Sequence, residues 1–419
     1  MIPGERIGHA TPIILRWEPP VGASSRGCTR CYEMPRYYEM PRAIPPTVLC
    51  SPLFLAIRTN GHESLNVGFL LLHGKDVVLK DRLKTSAVLI AIVSCLIYLD
   101  GNYSLAGAEG LWLLPLLLFF ALGTSRDAAT MLRQSQRPVD LRVTMLGTGL
   151  ITLTGYAPHL WPIIGATYPT DCPVGRLGWL VIGATTAIFL IIASEMSRYG
   201  KTNHGKTNGA QPNDGEQKVV CVTESSDRHL GQGALERIGS GTFISVYVGL
   251  PMALLVALRG LGDGNWGLAA LLTTIAVTKS TDAGAYFTGK AIGRNKLIPR
   301  LSPGKTWEGS LGGVLMAMTV AYGCLVWLFP AVAGSSPGPS EVPSIPLLSK
   351  PFFGAIVLGS LLAVTGMLGD LAESLIKREC QAKDSGNLLP GLGGVWDVTD
   401  SLIVAAIPAY LCFSAGVAG

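Results

Sequence analysis

From residue 85 onward, long apolar stretches alternate with short polar ones. The apolar stretches run roughly 17–25 residues, the length a helix needs to cross hydrocarbon. The pattern predicts nine such helices, near 85–103, 105–123, 141–165, 177–194, 238–258, 265–285, 311–331, 353–371 and 400–418, with a short turn between the first two. Gly147, Gly149 and Gly155 give the third segment small residues at which a neighbouring helix can approach closely. The expected fold class is an all-α polytopic membrane protein.

Loop charge orients these segments. Basic residues gather before the first (Lys80, Arg82, Lys84), after the second (Arg126, Arg133, Arg137) and between the fourth and fifth (Arg198, Lys201, Lys206, Lys218, Arg228, Arg237). They gather again after the sixth (Arg294, Lys296, Arg300, Lys305) and the eighth (Lys377, Arg378, Lys383). The alternate loops are poor in them, Arg176, Arg259 and Lys350 being the main exceptions. The expected topology has its N-terminus cytoplasmic and its C-terminus external, as a multi-pass protein of the cell's inner (cytoplasmic) membrane.

Four regions follow. Residues 1–77 are rich in proline and arginine and repeat YEMPR at 32–36 and 38–42. They read as a disordered extension or as a mis-annotated one, with translation starting near Val77 or Val78. Residues 78–194 hold the N-terminal membrane helices, 195–237 a Gly-, Asn- and Lys-rich flexible loop, and 238–419 the C-terminal membrane region in which the chemistry is expected. A second polar stretch, Pro- and Ser-rich, lies at 334–346.

Composition supports a lipid setting. Of 419 residues, 48% are hydrophobic and 15% charged, where soluble domains carry about 25% charged residues. The net charge of +5 is modest and sits in loops, which argues against a nucleic-acid partner. Nine cysteines are scattered without paired spacing, and Cys28–Cys31 has no second half to complete a zinc site.

Two stretches carry candidate chemistry. In Ser280–Ser310, Asp282 lies in the second half of an apolar segment, where a carboxylate needs a polar cavity or a partner. The loop beyond offers Arg294, Lys296, Arg300, Ser302, Lys305, Thr306 and Glu308, a set suited to a polyphosphate. The alternative is a basic loop with one polar contact in the bundle, and SPGKT lacks the first glycine of a Walker A loop. In Gly369–Ser401, Asp370, Glu373 and Lys377 share one helix face, with Ser374 beside them. Lys383 and Asp384 follow, then a Pro-Gly turn, Gly393–Gly394, and Asp397 and Asp400 three apart. A helix starting near Val395 would project both aspartates from its first turn. Convergent carboxylates among lysines suit a divalent cation shared with substrate phosphates; a solvated loop with ordinary helix caps is the alternative. The six histidines lie outside both stretches.

These stretches resemble the phosphatidate cytidylyltransferase (CDP-diacylglycerol synthase) family. Its signature S-x-x-K-R, K-D, P-G-H-G-G and D-R-x-D is matched in order by Ser374, Lys377, Arg378, Lys383, Asp384, Pro390, Gly391, Gly393, Gly394, Asp397 and Asp400. Its upstream elements D-x-x-A-Y-F-x-G and S-P-x-K-T-W-E-G are matched by Asp282, Ala285, Tyr286, Phe287 and Gly289, then by Ser302, Pro303 and Lys305–Gly309. The motifs cover roughly the last third of the chain. Leu392 and Val398 depart from the family, standing where it has histidine and arginine.

The resemblance implies an Mg²⁺-dependent nucleotidyltransferase, making CDP-diacylglycerol and pyrophosphate from CTP and phosphatidic acid at the bilayer. The expected catalytic residues are Lys383, Asp384, Asp397 and Asp400. Metal ligands are expected among Asp370, Asp384, Asp397 and Asp400. Substrate contacts are expected from Asp282, Tyr286, Ser302, Lys305, Thr306, Ser374, Lys377, Arg378, Gly393 and Gly394. A homodimer is an open option. Alternatives are a CTP-dependent transferase acting on a polyprenyl or ether lipid, or a divergent copy with reduced activity. A channel or transporter is disfavoured, because the charges cluster at one membrane face and no inverted repeat is apparent.

Overall fold

The structure, a computed structural model, describes residues 86–104, 108–166, 168–169, 172–198, 229–334, 336, 338, 345–389 and 393–418. The extension at 1–77, the start site near Val77 or Val78, most of the two polar loops, and Pro390, Gly391 and Leu392 lie outside the described residues.

Each predicted apolar segment overlaps a helix among the described residues, the second only from Leu114 and the third only to Thr154. In chain order these are α1 (Ser86–Asn102), α2 (Leu114–Gln134), α3 (Leu141–Thr154), α4 (Gly175–Arg198) and α5 (His229–Arg259). Then come α6 (Trp266–Ile292), α7 (Trp307–Gly323), α8 (Phe329–Ala333), α9 (Pro351–Glu379) and α10 (Trp396–Ser414). One π turn, Cys324–Leu328, joins α7 to α8 into a continuous helix. Among the described residues, five helices are long and apolar enough to cross a membrane: α4, α5, the α7–α8 unit, α9 and α10. The chain is thus a mainly helical, multi-pass membrane protein.

Four features differ from expectation. The second helix starts at Leu114, with Pro115 in its first turn, and continues well past residue 123. Hydropathy misses its second half because the polar residues there are satisfied by neighbouring helices. Thr124 shares a 2.7 Å hydrogen bond with Thr399, and Ser125 accepts one of 2.9 Å from Thr148. The third segment breaks after Thr154 into short 3₁₀ turns, Ala157–Leu160 and Pro162–Ile164. Prolines at 158 and 162 cannot continue the helical ladder. Residues 195–198 and 229–237 are helical, so the hydrophilic segment is shorter than 195–237. Finally, β1 (Lys296–Ile298) and β2 (Ser302–Thr306) form an antiparallel hairpin between α6 and α7.

Close helix approach positions the polar residues. A Cβ on Gly155 would sit 2.3 Å from the Ala253 carbonyl oxygen, which confirms the close contact expected of the third segment. A Cβ on Gly369 would stand 2.3 Å from the Asp400 carbonyl oxygen. The α9 and α10 backbones therefore nearly touch, and their neighbouring carboxylates are forced together.

Candidate active site

Asp370 and Glu373 project from α9, one turn apart, towards Asp400 on α10. One oxygen from each lies within 4.8 Å of the others. Glu373 is 1% exposed and Asp400 8%. Glu373 Oε2 is 2.9 Å from Lys377 Nζ, while Oε1 is buried with no hydrogen-bond partner. An orphaned buried carboxylate oxygen is costly. Three converging carboxylates, one with a free acceptor, fit a hard divalent cation that takes oxygen ligands.

Cations from three elements surround this group. Lys305, on β2, lies 2.7 Å from Asp370 Oδ2, so the hairpin folds back onto α9. Lys279, on α6, donates to Ser401 Oγ at 2.9 Å and stands 3.7 Å from Asp282 and 3.9 Å from Asp400. Ser401 Oγ in turn donates to Asp282 Oδ2 at 3.2 Å. Asp282 thus has the partner that its apolar segment required. Ser374 Oγ reaches Asp370 Oδ1 at 3.5 Å.

Asp397 has different surroundings. It receives Lys377 Nζ at 2.6 Å, the Gly394 N–H at 2.7 Å and the Ser385 N–H at 3.2 Å. Ser385 Oγ accepts the Asp397 N–H at 3.3 Å, closing a reciprocal pair between the loop and α10. Asp127, from α2, accepts the Val395 N–H at 2.6 Å and the Trp396 N–H at 3.4 Å. Its carboxylate satisfies N–H groups at the α10 N-terminus, which have no intrahelical acceptor. Gly393 adopts φ +99°, and a Cβ on Gly394 would sit 2.1 Å from Ser385 Oγ. Both glycines serve the loop's path.

The remaining expected residues spread around this centre. Thr306 caps α7, accepting the Gly309 N–H at 3.1 Å, and Ser302 pairs with Ile298 across the hairpin. Arg378 Nε lies 3.5 Å from the Leu301 carbonyl oxygen, tying α9 to the hairpin turn. Tyr286 is exposed, with Lys290 Nζ 5.8 Å from its ring centre. Lys383 and Asp384 are exposed and line a cavity of about 450 Å³ with Arg126, Thr130 and Gln134 of α2. The structure brings neither of them, nor Asp397, into the Asp370–Glu373–Asp400 group. Val398 faces an apolar cavity of about 170 Å³, lined by Leu117, Met252 and Leu402 and bordered by Lys279.

Lys279, Asp127, Ser385 and the ligand role of Glu373 were not anticipated. Lys279 carries a legible signal: a lysine within an apolar segment, one turn before Asp282, is a paired cation waiting for a partner. Glu373 stood on the recognised face of α9. Asp127 and Ser385 gave none, since their partners lie on elements distant in sequence or across a loop.

Comparison with known proteins adds a family. The model of the cytidylyltransferase family matches residues 80–415. Phosphatidate cytidylyltransferase of Brucella suis biovar 1 (strain 1330) is 43% identical over 165 residues, 39% of this chain and 53% of that protein. The Bacillus subtilis (strain 168) enzyme of the same name is 36% identical over 168 residues, 40% of this chain and 55% of its own. Phosphatidate cytidylyltransferase of Mycobacterium leprae (strain TN) is 30% identical over 286 residues, 63% of this chain and 83% of that protein. The chain spans about half the length of the first two relatives.

Proposed function

The chain belongs to the cytidylyltransferase family, and on that premise we propose that it transfers the cytidylyl group of CTP to phosphatidic acid. The observation that carries this reading is the Asp370–Glu373–Asp400 group, two of its carboxylates buried and Asp370 half-buried, flanked by Lys305 and Lys279 at positions where apolar helices meet a polar hairpin. A phosphate oxygen of phosphatidic acid attacks the α-phosphorus of CTP. The new P–O bond forms as the bond to the β-phosphate oxygen breaks, and CDP-diacylglycerol and pyrophosphate leave.

Such a reaction needs charge neutralisation and alignment more than a covalent nucleophile. Asp370, Glu373 and Asp400 would hold Mg²⁺, which when bound supplies Lewis-acid stabilisation of charge on the phosphoryl oxygens. Lys305 sits on the hairpin beside Asp370 and binds the triphosphate as a point charge. Arg378, anchored near the hairpin turn, offers a planar fork to the same anion. Lys279 holds Asp400 and Asp282 in register through Ser401 and supplies positive charge beside Val398, where the family pattern has arginine. Lys377 keeps Glu373 and Asp397 together across the α9–α10 contact. The basic residues at these helix ends support a cytoplasmic face of an inner membrane for this site, where CTP and Mg²⁺ are at hand.

Purified protein in detergent, given labelled CTP, phosphatidic acid and Mg²⁺, is expected to release labelled CDP-diacylglycerol and pyrophosphate, and chelation is expected to stop both. Product only with a polyprenyl phosphate or an ether lipid would redirect the acceptor assignment. No CDP-lipid with any acceptor would sink the reading.

A further inference from the structure

Outside the carboxylate group, the same end of the bundle carries an arginine-lined cavity of about 840 Å³, formed where α2 turns into α3 and where α4 ends and α5 begins. Arg133, Arg137, Arg142, Arg198 and Arg237 line it. Three carboxylates answer these five guanidinium groups. Arg198 pairs with Asp140 and, at 3.7 Å, with Glu195; Arg237 meets Glu195 at 2.8 Å; Arg137 meets Glu379 at 2.5 Å. Arg133 and Arg142 have no carboxylate partner among the described residues. Like charges gathered around one cavity repel unless an anion joins them, and guanidinium forks match phosphate oxygens.

The cavity has an apolar neighbour. A groove of about 520 Å³ runs between α2, α5 and α9, lined by Leu132, Phe243, Leu375 and Ile376. Arg137 borders both spaces. Phe243 is 47% exposed and Leu375 58%, so the groove is an open face. Cationic head space joined to apolar tail space is the shape complement of a lipid with an anionic phosphate headgroup. Its place at helix ends is the depth at which headgroups lie.

We propose that this cavity and groove form a binding site for an anionic phospholipid, separate from the carboxylate centre, with the phosphate held by Arg133 and Arg142 and an acyl chain along Phe243 and Leu375. The site does not depend on the transfer reaction, and its test needs no CTP.

The purified full chain, exchanged into detergent, is titrated with phosphatidylglycerol or phosphatidylcholine, and retained lipid is counted by native mass spectrometry. The wild type is expected to prefer the anionic lipid by about tenfold or more, the scale of one or two charged hydrogen bonds. Arg133→Gln with Arg142→Gln is expected to erase that preference while leaving the melting temperature and helical content intact. Phe243→Ala with Leu375→Ala is expected to weaken retention of both lipids. An undiminished preference in the arginine variant would overturn the proposal. So would displacement of the lipid by millimolar inorganic phosphate with the Phe243/Leu375 variant unchanged, which would make the cavity a site for free phosphate.

Discussion

Asp397 and Asp400 stand one turn apart on α10, yet they belong to different regions. The Asp397 region is closed: a lysine and two backbone N–H groups occupy its carboxylate. The Asp400 region is less filled: it accepts one backbone N–H, from Ser401 at 2.6 Å, its nearest cation is 3.9 Å away and its neighbours are two more carboxylates. A carboxylate whose acceptors are all used holds structure, whereas one facing like charge is left to hold something else. Residues three apart lie on nearly the same face of a helix, so it is the axial step of about 4.5 Å that sets Asp397 beside Lys377 and the loop, and Asp400 beside Asp370 and Glu373.

That contrast can be broken by substitution. Asp400→Asn is expected to have the largest effect, lowering turnover about a thousandfold or more, roughly 4 kcal/mol of transition-state stabilisation. Its melting temperature should stay near the wild type, since an amide oxygen can still accept the Ser401 N–H that Asp400 accepts at 2.6 Å, and the nearest cation is 3.9 Å away. Turnover within tenfold of wild type would move the reacting centre elsewhere. Asp397→Asn should instead act on stability. Losing the negative charge that Lys377 and the Gly394 and Ser385 N–H groups share costs about 2 kcal/mol, since Lys377 keeps Glu373 at 2.9 Å; it is read as a lower melting temperature in detergent, with turnover falling only as folded protein is lost. A normal melting curve with abolished turnover would erase the distinction between the two aspartates. Ser385→Ala removes one hydroxyl from the reciprocal pair and should cost about 1 kcal/mol, visible as faster proteolysis of the 383–394 loop at unchanged specific activity.

How much of this was legible in the sequence depended on the range of the interaction. Each apolar segment found a helix because hydrophobic length is a local property, and the Asp370–Glu373–Lys377 face was visible because its spacing is local too. The second half of α2 was hidden, since Ser125 and Asp127 look like loop residues until Thr148 and Val395 arrive to satisfy them. The hairpin at 296–306 looks in sequence like a loop suited to phosphate, because its few residues carry no alternation of apolar and polar positions. Lys279 is visible only as a charge one turn before Asp282, since one lysine barely changes the hydropathy of its segment, and its partner Ser401 lies on α10. The motif match put Asp384, Asp397 and Asp400 in one set, and only the fold separates their side chains.

One consequence follows from the shortness of α3. Its 14 residues rise about 21 Å, whereas a bilayer's hydrocarbon is about 30 Å thick. The 3₁₀ turns beyond it expose Leu160, Ile163 and Ile164 beside the ring cluster of Trp161, Tyr168 and Trp179. Aromatic rings of this kind anchor at the membrane–water boundary. The 3₁₀ turns, with their exposed apolar residues, therefore supply the height that α3 alone lacks on this flank. A proline-broken end, and not a full-length helix, thus forms the rim of this flank beside α4.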